Sequence, residues 1–468
     1  MMKAVIAGAG TVGQQIARQL IEENRDVVVI EQDTRVARRV SNYLDCMVIN
    51  GEVNNLEILE RAGVGNADFF IAVTDSDEVN IISCGIVGEK FEVPCKIARI
   101  KNIEYENVYS THNKFMGIDY LVNPEVEAAK DIIKAIEYGA LSEVLRFEKT
   151  SFQIRNIIIE HNSPVVNTTI KELRESSGLD FLVAFISRQN ELLIPSGYTK
   201  IMPEDNLYIL ASEEVLEELF ASLGKFKLEL KKIVIAGGGR IGTYVAEHLL
   251  EKQKRDMKFF SKRPFRFFKK IKHNIILIDR DIERCKQLSE RFQGAIILNE
   301  DITDEGIYDM NQLYDYDLLI TATGNQELNI ISAIFGKTLG IKRAIAVVDK
   351  RNYVEMAGKL GVDVTVCKNS SMVNTILKLT RRGNIKNIYS FADGRVELIE
   401  LMVENPDGAG RRLREINLPS ETLVVSLTRN NTNILPDGNS VIKTGDYIVA
   451  ISKKESIPKL VNIFTKKP

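Results

Sequence analysis

The amino-acid sequence predicts an α/β protein: two doubly wound parallel-sheet domains, each followed by a small α+β domain, arranged as a tandem duplication. Three observations carry that prediction. Short apolar strands (VVVI, FFIAVT, CKIARI, DYLV) alternate with helical stretches, the pattern of a parallel sheet covered by helices on both faces. A strand-glycine-helix signature occurs twice, as KAVIAGAGTVG near the start and KIVIAGGGRIG at 232–242. Long segments recur in the same order: IAVTDSDEVNIIS (71–83) returns as ITATGNQELNIIS (320–332), and SRQNELLIPSGYTKIMPEDNLYIL (187–210) as TRNNTNILPDGNSVIKTGDYIVA (428–450). A repeat of this length is a duplicated structural unit.

In chain order, residues 1–140 read as the first Rossmann-like domain and 141–225 as its α+β companion, with antiparallel strands and a hairpin at VAFISRQNELLIP. Residues 230–383 repeat the Rossmann-like domain and 384–468 the companion. The chain has 468 residues, 44% hydrophobic and 27% charged, with a formal net charge of -2. That balance gives no overall attraction to nucleic acid. No apolar run reaches the ~18–20 residues needed to cross a bilayer, and no signal peptide is visible. Five cysteines lack a C-x-x-C pair, and the four histidines form no H-E-x-x-H. The reading is therefore a protein of the reducing cytosol with buried or free thiols and no visible metal site; no catalytic residue is assigned.

The glycine-rich turns carry the chemistry. Gly8 permits a tight turn, Gly10 lets a phosphate approach the backbone, and Gly13 lets helix and strand pack closely. Gly8, Ala9, Gly10, Thr11, Val12 and Gly13 therefore form a candidate nucleotide loop, with helix N–H groups facing the phosphates. Glu31 ends the next strand, 18 residues after Gly13. A carboxylate there accepts hydrogen bonds from a ribose diol and repels a 2′-phosphate, so NAD(H) or an adenine nucleotide such as ATP or ADP is expected in place of NADP. The second copy keeps Gly237, Gly239, Arg240, Ile241 and Gly242, and Asp279 ends its matching strand after a 19-residue insertion. Thr74 and Asp75 lie at a strand end, where open α/β sheets bind ligands, and Thr323 occupies the same place in the repeat. Ser76 or Asp77 either caps the following helix or meets the ligand. Arg99 ends CKIARI within reach of phosphate, and Val348 is read as its counterpart.

GAGTVG, Glu31, ADFFIAVTDSDEVN, IARI and the R-x-x-x-L-L-I-P-S-G hairpin resemble the RCK (KTN) nucleotide-binding module with its C-terminal companion. Two complete copies in one chain, without pore helices, resemble the Trk potassium-uptake regulatory proteins of the TrkA type. The resemblance spans about residues 1 to 455. It implies a cytoplasmic subunit, peripheral on the inner face of the plasma membrane, beneath a Trk-type integral membrane potassium transporter. It also implies a homo-oligomeric, tetrameric ring, regulated by NAD(H) and ATP or ADP. The competing class is an NAD-dependent oxidoreductase. Against it, the histidines occupy no shared position in the two halves, so no repeated general acid or base is offered.

Two features stand apart. Segment 251–273 holds ten Lys or Arg, two acids and five Phe. It suits contact with an anionic membrane or the transporter, or a protruding helix end with Phe259, Phe260 and Phe265 packed locally. Arg188 and Arg429 match between the companion domains, as do Pro195 and Pro436, which fix turns.

Overall fold

A computed structural model describes residues 2–102, 104–105, 108–109, 116–137, 144–147, 149–189, 191–223, 230–260, 274–380, 385–391, 396–405 and 409–465. The first sheet is formed by β1 (Lys3–Ala7), β2 (Asp26–Glu31), β3 (Met47–Asn50), β4 (Phe69–Ala72), β5 (Cys95–Arg99) and β6 (Tyr120–Val122). All its pairings are parallel, in the order β3-β2-β1-β4-β5-β6. Its helices are α1 (Thr11–Glu22), α2 (Thr34–Tyr43), α3 (Leu56–Arg61), α4 (Asp77–Lys90) and α5 (Pro124–Glu137). β4 is apolar throughout and β1 from Ala4 onward, because helices bury both faces. The order reverses between β1 and β4, which opens a ligand crevice at the carboxyl ends of these strands.

The first companion domain has β7 (Val144–Arg146), β8 (Gln153–Ile158), α6 (Ile170–Ser177), β9 (Leu182–Arg188), β10 (Glu191–Leu193), β11 (Asn206–Ala211) and α7 (Glu213–Ser222). Its antiparallel sheet runs β10-β9-β11-β8-β7. The second Rossmann-like domain follows with β12 (Lys232–Ala236), α8 (Arg240–Phe260), β13 (Asn274–Asp279), α9 (Ile282–Arg291), β14 (Ile296–Asn299), α10 (Glu305–Met310), β15 (Leu318–Thr321), α11 (Gln326–Thr338), β16 (Arg343–Val348), α12 (Asn352–Lys359), β17 (Val364–Cys367) and α13 (Lys368–Thr380). Its strand order, β14-β13-β12-β15-β16-β17, repeats that of the first sheet. The last domain comprises β18 (Ile385–Phe391), β19 (Val396–Met402), β20 (Thr422–Arg429), β21 (Thr432–Ile434), β22 (Tyr447–Lys453) and α14 (Ile457–Phe464), in the order β18-β19-β22-β20-β21. The fold class is thus the one the repeats predict. Of segment 251–273, the backbone of α8 extends to Phe260, and the rest lies outside the described residues.

The packing does not follow the linear order of the halves. Like domains assemble with like: one compact unit combines residues 1–133 and 230–380, and the other combines 134–229 and 381–468. In the first unit, Met372, Val373, Ile376 and Leu377 of α13 are buried in one cluster with Ile6, Ile16, Leu20 and Val29 of the first half. The second half therefore supplies a helix to the first half's core. Arg25 Nη1 donates to the Thr380 carbonyl at 2.9 Å, and Thr375 Oγ1 to Glu127 at 2.7 Å, closing both edges of this contact.

In the second unit, Phe147, Ile154, Phe185, Tyr208 and Leu210 share a core with Val396, Leu398, Val425, Val449 and Ile451. The two matched arginines have a structural role here. Arg188 makes a two-pronged ion pair with fully buried Asp205 (2.7 and 2.8 Å) and donates to the Lys200 carbonyl. Arg429 repeats this with Asp446 and the Val441 carbonyl. Each pair pins the strand after the hairpin, because a buried carboxylate is retained only when paired and hydrogen-bonded.

If α13 is part of the first half's core, Ile376→Ala should destabilise that core although it lies about 360 residues downstream of α1 in sequence. Loss of a fully buried isoleucine costs about 2–5 kcal/mol, read as a lower urea midpoint at unchanged slope. An unchanged midpoint would contradict the packing.

Candidate functional site

The site forms where β1, β2, β4 and β5 end. Gly8 turns the chain with φ +101°, a region other residues rarely adopt. A Cβ on Gly13 would lie 1.9 Å from the Gly8 carbonyl oxygen, so only glycine lets α1 start this close to β1. At Gly10, by contrast, a Cβ would meet nothing within 4 Å. That space lies beside the backbone at the N-terminus of α1, where unpaired N–H groups favour an anion. Thr11 is exposed at the first helical position, while Ala9 and Val12 are buried and support the loop. The open cradle at Gly10 fits a nucleotide phosphate.

Glu31 reaches back to this loop. Its Oε2 accepts the Ala9 N–H at 2.7 Å and its Oε1 the Asp33 N–H at 2.9 Å. The carboxylate is held at the loop's rim, with lone pairs left over for a ribose diol. Thr74 abuts the glycine turn: a Cβ on Gly8 would lie 3.1 Å from its Cα and N. Ser76 is the N-cap of α4, accepting from Val79 N at 3.2 Å. Asp77 accepts from Lys101 N and Asn102 N, so both acid and serine organise the loop ends. Asp75 is exposed, and its Oδ1 sits 3.3 Å from Arg99 Nη1. The Arg99 side chain is mostly buried, and its Nε has no hydrogen-bond partner. With Asp75 almost wholly in solvent, the pair is worth little, which leaves the guanidinium available to phosphate.

The residue that sequence reasoning missed is Asn80. It is fully buried and wires the ends of β4 and β5 together. Its Oδ1 accepts Thr74 N (2.9 Å) and Thr74 Oγ1 (2.7 Å), while Nδ2 donates to the Thr74 carbonyl (3.2 Å) and the Arg99 carbonyl (2.9 Å). The available signal was its recurrence six residues after the strand-end threonine in TDSDEVN and TGNQELN. Asn329 makes the same four bonds, to Thr323 and to the Val347 carbonyl.

That equivalence corrects one assignment. The counterpart of Arg99 is Val347, not Val348. Ala72 pairs with Ala98 and Thr321 with Ala346, so the position after each alanine is Arg99 in one half and Val347 in the other. Val348 matches Ile100, and both are fully buried. Either way, the second half lacks an arginine at this strand end.

The second loop is otherwise built alike. A Cβ on Gly242 would lie 2.0 Å from the Gly237 carbonyl oxygen, and one on Gly239 would meet nothing within 4 Å. Asp279 accepts Gly238 N at 2.7 Å and Asp281 N at 2.9 Å. Ile241 is buried beneath the loop. Arg240 is turned away from its own half. Its Nη1 donates to the Lys101 carbonyl at 2.5 Å and lies 3.1 Å from Glu125. The start of the second half's loop helix is thereby tied to the strand-end loop of the first half's site. Among the described residues no group of His, Cys, Asp and Glu could hold a metal, and no helix is long and apolar enough to cross a membrane. The Cys84 thiol is buried and its pKa is pushed up by desolvation, which suppresses thiolate chemistry.

The TrkA-N domain family matches residues 4–124 and 233–368, and the TrkA-C domain family matches 154–224 and 398–465. The chain belongs to the TrkA family. A Trk system potassium uptake protein TrkA homolog of Archaeoglobus fulgidus is 30% identical over 463 residues, covering 99% of this chain and 100% of that protein. The Trk system potassium uptake protein TrkA of Halomonas elongata is 28% identical over 456 residues, covering 96% and 95%. Among solved structures, the GsuK channel bound to NAD superposes with a TM-score of 0.55 at 18% identity, covering 99% of this chain and 78% of that one. The GsuK RCK domain gives 0.54 at 18%, covering 99% and 94%. These likenesses establish the tandem RCK fold.

The glycines predict contrasting variants. Gly10 has φ -67°, so Gly10→Ala should leave thermal stability unchanged or slightly raised while filling the phosphate cradle and weakening nucleotide binding. Gly13→Ala should lower stability, since its Cβ collides with backbone. Calorimetric titration beside thermal unfolding checks both; Gly10→Ala binding NADH and ADP as the wild type does would refute the cradle.

Proposed function

We propose that this TrkA-family chain is a cytoplasmic nucleotide-binding regulatory subunit that gates a Trk-type membrane potassium transporter in response to NAD(H), ATP or ADP, and is not an enzyme. The observation that carries the reading is the first half's site: the open cradle at Gly10, Glu31 at its rim and Arg99 with a buried, unpartnered Nε. In this reading Gly8, Gly10, Thr11 and Gly13 hold phosphate, Glu31 the ribose, Asp75 and Arg99 the far end of the ligand, and Thr74 whatever extends past its phosphates. Gly237, Gly239, Gly242, Asp279 and Thr323 form a second site with weaker hold on phosphate, since Val347 replaces the arginine. Support comes from relatives named as Trk potassium uptake proteins and from a channel of the same fold solved with NAD.

Transmission follows from the shared core. The halves are joined by α13 in the first half's core and by Arg240 across the strand-end loop. A ligand shifts such an arrangement only by binding one state better than another. A coupling of ~1–3 kcal/mol per site changes populations by ~5–150-fold, and several sites add in a ring. Homotetrameric assembly, peripheral on the inner membrane face, is part of the proposal. Ile82 on α4 and Ile331 on α11, the same position in both halves, are 46% and 62% exposed, a repeated apolar contact suited to further copies.

Purified transporter in vesicles, with this protein added, should show potassium flux that depends on nucleotide. Arg99→Ala should weaken nucleotide binding by roughly 10–100-fold, as loss of a charge-assisted hydrogen bond does, and shift the flux response to higher nucleotide concentration. Equal flux with and without every nucleotide would overturn the proposal.

A further inference from the structure

The asparagine clamp fixes something that a threonine at a strand end ordinarily leaves free: the direction of its hydroxyl proton. A threonine hydroxyl has one proton and two lone pairs and rotates to suit its partner. Here the backbone N–H of Thr74, a donor without alternative, lies 2.9 Å from one terminal atom of the Asn80 amide. That atom must be the oxygen. The other terminal atom faces two carbonyls, of Thr74 and Arg99, and must be the nitrogen. Thr74 Oγ1 lies 2.7 Å from the same amide oxygen, with the Ser76 carbonyl at 3.2 Å as the second inward acceptor. Two oxygens that only accept therefore claim the single hydroxyl proton. Toward the crevice Thr74 can only accept.

The sheet order says which part of a ligand meets that acceptor. Strands β2, β1 and β4 are neighbours, so Glu31, the glycine loop and Thr74 stand in a row. An adenosine ribose at Glu31 and phosphates over the loop place whatever follows the phosphates against Thr74. The terminal phosphate of ADP or ATP presents oxygens that accept and gains nothing there. A second ribose presents hydroxyl donors. We infer that Thr74, its polarity locked by Asn80, is a specificity-determining residue that favours a dinucleotide such as NADH over a nucleoside di- or triphosphate in the first half. Arg99 holds phosphate of either class; Thr74 tells the classes apart.

The second half keeps the lock with a difference. Thr323 Oγ1 donates to Asn329 Oδ1 at 2.6 Å, and also receives Asn325 N–H at 3.3 Å. One of its lone pairs is already engaged, so discrimination is weaker there.

The inference rests on nucleotide binding at the glycine loops, and the test separates the two. The intact chain is titrated calorimetrically with NADH and, separately, with ADP, as wild type, Thr74→Val, Thr74→Ser and Thr323→Val; the last identifies heats from the second half. Thr74→Val should weaken NADH by about tenfold, the loss of one hydrogen bond, and leave ADP unchanged. Thr74→Ser should restore NADH. Unchanged ADP binding shows that the valine variant retains a formed site, which a merely structural effect would not allow. Equal weakening of NADH and ADP, no change in either, or failure of serine to restore NADH overturns the inference while nucleotide binding stands. A wild-type chain that binds neither compound overturns the reading of the site itself.

Discussion

The burial of α13 in the first half's core is the constraint on which the arrangement of this protein depends. Ile376 and Met372 are as inaccessible there as Ile6 and Ile16, with which they share a cluster. Apolar area removed from water is worth roughly 25 cal/mol per Å², and this face belongs to a segment of the other half. The first Rossmann-like domain is thus completed only when the second half is present. The two copies of the duplication are thus joined through one shared cluster, and the compact units are made of like domains in place of halves.

This shared core couples the two crevices mechanically. Packed interiors are close to crystalline in density and pass displacement on. The strand-end loop at Lys101 is held from one side by Asp77, at the start of α4, and from the other by Arg240, at the start of α8. Each of these helices begins at the crevice of its own half. Whatever re-positions one crevice strains a contact made by the other.

The two sites share their scaffolding and differ in charge. Glycine turn, acidic rim and asparagine clamp are present twice, with nearly matching distances. The one cation at the strand end, Arg99, is present once, with apolar Val347 opposite. Burying a charge is costly unless a partner is supplied, and Arg99, paired through Nη1 with exposed Asp75, keeps a buried Nε without one, which is why the proposed reading puts an anionic ligand there. Valine needs no such partner, and its half folds without one.

Sequence alone determined the fold class, the duplication and most of the loop. These rest on local spacing: three glycines a fixed distance apart, an acid 18 residues on, and strands whose apolar runs announce burial on both faces. Tertiary structure decided what spacing cannot encode. Asn80 reads in sequence as an ordinary residue in the first turn of α4; only the meeting of two strand ends makes it a clamp and turns Thr74 into an acceptor. Arg240 reads as part of its own loop, yet its long side chain finds carbonyl and carboxylate partners in the other half. Val347 displaced Val348 because pairing register, not residue counting, aligns strands of unequal approach. Helix α13 reads as the close of the second half, but an amphipathic face is silent about which sheet it will cover, and that choice falls to whichever apolar surface lies within reach.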